Sequence, residues 1–256
     1  MIYKEFFRAY CCIVPLTLSS ATLFSASLPW HEHLEISGNF GAAKQSMSSS
    51  TFIVTETETD NLRQTNNPMI GAFGFGVSYL FPLKEKTKWF SEGRVGLNYR
   101  YLSNKLWNNL VEGQIEQYQD PRMANYTYQM SLVNQRLMMD LSLTFWERER
   151  ASLFVIGGLG YGWNKLHYSD YPNPGIEEGN LTLNTSRTNR FTSEVGVGAF
   201  YQCSEQLKIS VQYLYSYFGN IATGSYGYLN GDATVIYPAH FKLDTNAVLL
   251  GLHLAL

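Results

Sequence analysis

The sequence predicts an all-β protein, namely an eight-stranded antiparallel up-and-down transmembrane β-barrel. Apolar and polar residues alternate with a period of two over runs well past ten residues, whereas strands of soluble sheets are usually about 5–6 residues long. Long and short connections between these runs alternate along the chain. Aromatic residues mark both ends of the hairpin over residues 133–163, as expected where a strand meets lipid headgroups. Together these three observations favour strands that cross a membrane.

The clearest unit is a hairpin over residues 133–163. One parity of residues 133–145 is apolar and the other is polar, and the alternation resumes after the charged turn Glu147–Arg150. A tilted strand needs about 9–11 residues to span the hydrocarbon of a bilayer. Both halves of the hairpin are long enough for this.

Composition excludes several other classes. The 256-residue chain has a net charge of −2, with 16% charged and 15% aromatic residues, which argues against a nucleic-acid or polyanion partner. Beyond the N-terminal segment, no apolar run is long enough for a membrane helix.

The first residues read as a secretory signal. Lys4 and Arg8 form a short basic region, Cys11–Phe24 is apolar, and small residues follow at 25–27. We therefore expect residues 1–27 to be a cleaved signal peptide and residues 28–256 to form the barrel domain. Cleavage leaves Cys203 as the one cysteine, so the mature chain can form no intramolecular disulfide.

Each of the eight strands is predicted from its own alternating run. The runs are residues 34–42, 72–81, 89–101, 133–145, 151–163, 190–202, 207–217 and 248–256. Long connections cover residues 44–68, 102–129, 165–188 and 219–243, and short turns cover 82–88, 147–150 and 203–206. An even number of strands lets the sheet close without an exposed edge, which a bilayer requires.

The long connections contain local signals of their own. Asn230-Gly231, flanked by tyrosines, predicts a two-residue hairpin that extends the seventh and eighth strands. Residues 51–59 read as a strand that lengthens the first hairpin, and Ser103 is placed to cap a short helix that runs to Val111.

With a signal peptide, eight alternating strands and a strand as the last element, residues 33–256 resemble the small bacterial outer-membrane barrels of the OmpA-transmembrane, OmpX and opacity-protein type. The resemblance implies loops outside the cell and both termini in the periplasm. The chain ends in Leu256, where such barrels usually end in Phe, and we expect no second domain after the barrel.

The inward parity predicts a lumen charge network with no porin-scale channel, because an eight-stranded barrel is just wide enough for side chains to fill. Its predicted members are the acids Glu35, Glu92, Asp140 and Glu194 and the bases Arg94, Arg100, Arg136, Arg190 and Lys208. Buried charges must be paired. Inward glycines leave room for long arginines to reach across.

Two clusters have residue types that can do chemistry. His167, Ser169 and the downstream Glu177 resemble the His-x-Ser and Glu of lipid A deacylase barrels. The usual Asn after the Ser is Asp170 here, and three strands follow the motif instead of one, so a turn-rich loop base is the competing interpretation. His31, Glu32, His33 and Glu35 could hold zinc on a strand face, against the alternative of a solvated mature N-terminus.

The sequence therefore favours a non-enzymatic outer-membrane surface protein that uses long extracellular loops for adhesion or partner contact, without a cofactor or metal. Expected partners are outer-membrane lipid and lipopolysaccharide, the barrel-assembly machinery during insertion and a host or phage surface ligand, with no nucleic acid. The alternatives are a lipid A-modifying barrel esterase and a narrow transporter of small solutes.

Overall fold

The structure, a computed structural model, describes residues 33–53, 59–83, 89–177 and 179–256. These ranges contain 13 strands in one sheet. The strands are β1 (Leu34–Met47), β2 (Ser50–Ile53), β3 (Thr59–Gln64), β4 (Met69–Pro82), β5 (Glu92–Ser103), β6 (Val111–Glu116), β7 (Tyr126–Arg148), β8 (Ala151–Pro172), β9 (Leu181–Gln202), β10 (Leu207–Ala222), β11 (Tyr226–Leu229), β12 (Asp232–Val235) and β13 (His240–Ala255).

Eight of these strands form a closed antiparallel ring in the order β1-β4-β5-β7-β8-β9-β10-β13. The last strand, β13, pairs with the first, β1, and Glu35 lies opposite Ala255. The start of β1 and the last residues of β13 therefore both lie on the side of the barrel that has the short turns. The predicted eight-stranded up-and-down barrel is confirmed. The predicted signal segment 1–27 lies outside the described residues.

The outer wall of the ring is apolar over a band that matches the predicted parity. Leu137, Met139 and Leu141 on β7 are exposed, while their neighbours Arg136, Met138 and Asp140 are buried. Aromatic side chains border this band on the long-loop side, where Tyr161 packs edge-on against both Trp163 and Phe191. An exposed apolar band with an aromatic border is the surface of a transmembrane barrel. No helix in the described ranges is long and apolar enough to cross a membrane.

Several strands continue past the ends that the alternation predicts. β7 and β8 stay paired as far as Tyr126 and Pro172, and β8 pairs with β9 up to Asp170 and Leu181. The predicted polar connection 165–188 is therefore mostly strand. The predicted strands end where outward residues stop being apolar, although the strands themselves continue beyond the membrane band.

At Asn164 the polarity of β8 inverts. Below it the outward side chains are apolar, whereas above it the outward residues Lys165 and His167 are polar and exposed, and Leu166 and Tyr168 point inward and are buried. The strand thus changes from a lipid-facing pattern to the pattern of a water-soluble sheet. This inversion marks where the membrane-spanning segment of β8 ends.

On the long-loop side of the apolar band, the short strands β2, β3, β6, β11 and β12 pair with the ends of β7, β8 and β9 that extend beyond the band. We call this part of the sheet the outer sheet. Its order is β2-β3-β6-β7-β8-β9-β11-β12. The hairpin at Asn230-Gly231 is confirmed, with both residues at positive φ (57° and 91°). The hairpin does not extend β10 and β13, the seventh and eighth strands of the ring, as predicted. Instead β11 separates from β10 and pairs with β9.

The other two loop predictions are met in part. The strand predicted over residues 51–59 corresponds to β2 and the first residue of β3, which pair with each other as a hairpin, while residues 54–58 lie outside the described part of the chain. Ser103 accepts a hydrogen bond from the backbone N–H of Lys105 and caps a single 3₁₀ turn, Asn104–Leu106. Val111 is not in that helix, because it begins β6.

Candidate functional site

The interior near the short-turn end holds a polar cluster centred on Glu35. Its carboxylate lies 2.8 Å from His253 Nδ1 and 3.3 Å from Arg94 Nη1. Arg94 also donates to Glu92 over 2.9 Å and 2.7 Å, and Lys208 Nζ lies 3.6 Å from the same carboxylate. The carboxylates of Glu35 and Glu92 are therefore neutralised by Arg94 and Lys208 in the barrel interior.

His253 extends this cluster toward a serine. Its Nε2 lies 2.8 Å from Ser210 Oγ, so that serine, imidazole and the Glu35 carboxylate form one hydrogen-bonded chain. Such connectivity is shared with hydrolytic triads. Ser210 is only 1% exposed, however, and the cavity of about 50 Å³ beside Glu35 and His253 has room for a few water molecules and no more. We therefore assign the hydrogen-bonded series Ser210–His253–Glu35 a structural role.

Aromatic rings pack against this cluster. Phe154 and Phe200 stack with centroids 4.2 Å apart, Arg94 lies 3.9 Å over the Phe200 ring, and His253 packs edge-on against it at 5.0 Å. The two rings, the imidazole and the cation therefore pack together in the interior near the short-turn end.

A second cluster lies at mid-barrel, where Arg100 joins two acids. Arg100 Nη2 lies 2.7 Å from Asp140 Oδ2 and 2.6 Å from Glu194 Oε1, and Arg136 Nη2 lies 3.3 Å from Glu194 Oε2. All four side chains are buried. A Cβ at Gly158 would collide with the Asp140 carboxylate, so the small residue is what lets the two carboxylates approach across β8.

Not every donor in this cluster has a protein partner. Within the described residues, Nε and Nη1 of both Arg100 and Arg136 are buried without a hydrogen bond. Buried polar groups are rarely left unsatisfied, and ordered water is the usual partner. The cluster therefore has the composition of a hydrated ion-pair plug.

Eight of the nine predicted lumen residues lie in these two clusters: Glu35, Glu92, Arg94, Arg100, Arg136, Asp140, Glu194 and Lys208. Arg190 does not, and its prediction is wrong. β9 parts from β10 beyond Ser193, so Arg190 lies at an open edge, is exposed, and donates to the carbonyl of Asn220 over 3.1 Å.

Sequence reasoning missed His253. The signal was present, because His253 alternates with the outward residues Leu252 and Leu254 on the last strand. Its partner Glu35 lies at the other end of the chain, so only closure of the ring by β1 and β13 brings the two together.

Above the two polar clusters the interior becomes apolar, forming what we call the outer core. Its largest buried side chains include Tyr128, Tyr168, Phe52, Phe218 and Phe241. Tyr168 packs against Phe52 and Tyr128 with centroids 5.8 Å and 6.0 Å apart. The barrel is therefore sealed by apolar packing on the long-loop side, a feature that the sequence analysis did not anticipate.

Asp170 is a buried acid in the outer core, beyond the membrane-spanning segment. Asp170 accepts hydrogen bonds from Tyr168 Oη over 2.8 Å and from the backbone N–H of Leu181 over 3.0 Å. Burial raises the pKa of Asp170 to about 6, against the lowering effect of these two hydrogen bonds. Burial likewise raises the pKa of the Tyr128 and Tyr168 phenols.

The exposed face of the β11–β12 hairpin is aromatic, and we call it the aromatic hairpin. Tyr226 (61% exposed), Tyr228 (57%) and Val235 (67%) lie on one face, and Tyr237 (64%) follows directly. The opposite face is anchored, because Gly227 packs closely on β9 and Ile236 is buried. A rigid apolar surface therefore stands out from the outer sheet.

The candidate catalytic residues do not assemble. His167 and Ser169 lie two residues apart on the outward face of β8, which is the spacing of the His-x-Ser motif, but within the described residues their side chains form no hydrogen bond with each other. Glu177 is exposed in the following loop, and none of the hydrogen bonds or ion pairs of the described residues joins any two of the three. In the described structure the three residues are therefore not linked by hydrogen bonds as the members of a catalytic triad are.

The candidate zinc ligands are also separated. His33 packs edge-on against Tyr79 with centroids 5.6 Å apart, whereas Glu35 points inward to Arg94 and His253. His31 and Glu32 lie outside the described residues. Among the described residues no cluster of three or more His, Cys, Asp or Glu side chains could hold a metal ion.

No protein-family model matches the sequence, and no curated protein matches it significantly. Among solved structures, the chain is similar to Neisserial surface protein A (10% identity, TM-score 0.41, covering 87% of this chain and 97% of that one). It is also similar to the outer membrane protein OprG from Pseudomonas aeruginosa (10%, 0.44, 87% and 96%). A third is Ail, the attachment invasion locus protein of Yersinia pestis (13%, 0.36, 86% and 99%).

At such low identities and TM-scores the likeness is one of general β-barrel architecture and says nothing about function. The closed ring, the apolar band and the aromatic border nevertheless settle the architecture from this chain's own residues. The protein is a small eight-stranded β-barrel of the outer-membrane kind.

Proposed function

We propose that the protein is a non-conducting outer-membrane surface protein whose aromatic hairpin and outer sheet make contact with another macromolecule, as adhesins do. The long-loop end faces outside the cell and the termini face the periplasm. The observation that carries the proposal is the exposed face of Tyr226, Tyr228 and Val235 on a hairpin anchored to β9.

The chemistry of that face suits recognition. Tyrosine is enriched at protein interfaces because its ring buries a large apolar area while its hydroxyl still forms hydrogen bonds. Tyr226, Tyr228 and Val235 on the hairpin and Tyr237 directly after it are each more than half exposed. Pairing with β9 limits the conformational entropy lost on binding.

The interior supports the same proposal over the transporter alternative. The ion-paired clusters fill the membrane segment, and the outer core covers them from above. A solute would have to displace both buried charges and well-packed rings. The esterase alternative lacks support for a different reason, since His167, Ser169 and Glu177 are not joined.

Adherence measurements test the proposal. Laboratory Gram-negative cells that display the wild-type protein should bind cultured epithelial monolayers better than cells with empty vector, and Tyr226→Ser/Tyr228→Ser should remove most of that gain. Tyr118→Ser is the matched control, because Tyr118 is 58% exposed in a different outer loop. Equal adherence of wild type and vector would overturn the adhesin proposal. Large steady conductance of purified protein in planar bilayers would instead support transport.

A further inference from the structure

A basic pair lies directly above the aromatic border on β8 and β9. Lys165 is two residues past Trp163, and the register places it opposite Arg187. Both side chains are exposed, and no hydrogen bond or ion pair within the described ranges engages either one. Side chains directly opposite on one sheet face have Cβ atoms about 4.5–5.5 Å apart, and like charges in such a pair repel.

The surrounding face offers nothing to neutralise this pair. In the described part of β7, β8 and β9 the outward residues around it include no acid: Thr127, Gln129, Ser131, Gln135, His167, Ser169 and Asn189. On neighbouring β6, Glu112 already accepts a hydrogen bond from Gln129 over 2.9 Å.

The opposite side of the barrel shows the contrast. Lys44 on β1 lies at the same boundary, opposite Asn246, and Asp244 on β13 is its diagonal neighbour. That lysine therefore has a carboxylate within reach of a long side chain. Lys165 and Arg187, by contrast, have no acid among their outward neighbours on β7, β8 and β9 in the described residues.

Below the basic pair, the same face contains a groove. It has a volume of about 580 Å³ and is lined by apolar side chains that include Met139, Leu141, Leu159 and Val195. Gly157 forms its floor, because its missing side chain leaves open space. The end of the groove nearer the basic pair is at Leu159, about 20 Å along β8 from Lys165. An acyl chain that extends from a headgroup at the boundary into the membrane runs in this direction.

We propose that this face binds a phosphorylated lipid of the outer leaflet, with a phosphate group held between Lys165 and Arg187 and an acyl chain in the groove at Gly157. Guanidinium and ammonium groups at headgroup depth attract phosphate, and the charge-assisted hydrogen bonds that result are stronger than neutral ones. The inference rests on the outer-membrane location proposed above and names the residues that meet the lipid.

Native mass spectrometry of the purified, folded protein in neutral detergent tests this with bisphosphorylated lipid A as the probe. We expect one lipid A bound per wild-type protein, at least tenfold weaker binding by Lys165→Gln/Arg187→Gln, and several-fold weaker binding by Gly157→Val. A side chain at Gly157 meets nothing within 4 Å, so this variant fills the groove without disturbing the barrel.

Matched controls make the result specific. Lys44→Gln/Lys242→Gln removes the same charge from the β1–β13 face, and Gly38→Val adds the same side chain at another open outward glycine. Both should bind as wild type does. Unchanged binding by the β8–β9 double variant, or equal loss in the controls, would overturn the site. Full competition by inorganic phosphate would show an anion site and overturn the lipid assignment. Because the assay needs neither adherence nor cells, the adhesin proposal can fail independently.

Discussion

Arg100 and Arg136 look equivalent in the sequence, but the structure predicts unequal losses when each is replaced by Met. Arg100 makes two short ion pairs, 2.7 Å to Asp140 and 2.6 Å to Glu194, whereas Arg136 makes one ion pair at 3.3 Å to Glu194 and lies 4.7 Å over the Phe218 ring. Methionine keeps most of the aliphatic packing, so the comparison isolates the charge. Arg100→Met leaves two buried carboxylates facing one remaining arginine.

The magnitudes follow from these contacts. Hydrogen bonds to charged groups contribute about 1.5–3 kcal/mol each, and breaking a buried ion pair costs about 3–5 kcal/mol. We therefore expect Arg100→Met to lower the free energy of unfolding by about 3–5 kcal/mol. Arg136→Met should cost about 1–2 kcal/mol, because Glu194 keeps its contact with Arg100 and the repulsion between the two arginines disappears.

Urea titrations of folding into lipid vesicles, followed by tryptophan fluorescence, measure both values. A triple variant with Arg100, Asp140 and Glu194 all replaced by Met is a useful control, since removal of every partner leaves no uncompensated charge and should recover much of the loss. An Arg136→Met loss equal to or larger than that of Arg100→Met would refute the assignment of Arg100 as the residue that joins the cluster.

Three further predictions address the membrane boundary, the outer core and the orientation. Leu141→Arg on the lipid face should cost about 2–4 kcal/mol in the same titration, whereas His167→Arg, beyond the boundary, should cost less than about 1 kcal/mol; equal losses would contradict the placement of the boundary. The pKa of Asp170 is raised by burial to about 6 from an ordinary value of 3.8, so its contribution to stability is complete below 3.8 and lost as the pH rises through about 6. Between pH 5 and pH 7.5 the wild type should therefore lose about 1.4 kcal/mol that Asp170→Asn does not lose, and parallel pH profiles would dismiss this effect. An epitope tag at Gly179 should be stained on intact cells and a tag at Glu149 should not, and the reverse pattern would invert the orientation.

The eight ring strands could be read from the sequence because the bilayer imposes a simple rule on them. Every outward side chain within the hydrocarbon must be apolar, as Leu137, Met139 and Leu141 are, so parity is visible without knowledge of any neighbour. Two-residue turn chemistry is equally local, which is why the hairpin at Asn230-Gly231 was predicted correctly.

The outer sheet could not be read in this way. The alternation does continue along β8, but its sign inverts at Asn164, and a search for outward apolar residues ends there. Moreover, the partner of β11 is β9 and that of β3 is β6, and such pairings between distant segments leave no local trace.

The candidate site residues also differ in how far the sequence alone could identify them. Inward parity alone identified most of the charged residues of the lumen, since a buried charge on a barrel strand has nowhere else to point. Which arginine meets which carboxylate depends on the register between β5, β7 and β9 and on the space that Gly158 leaves, and Arg190 was misplaced because β9 parts from β10 before reaching it. The basic pair Lys165 and Arg187 likewise exists only through the β8–β9 register. The sequence by itself determined the strands and their two faces, because these follow from the solvent on each side; tertiary structure decided every pairing, because residues far apart in the chain meet only once the ring has closed.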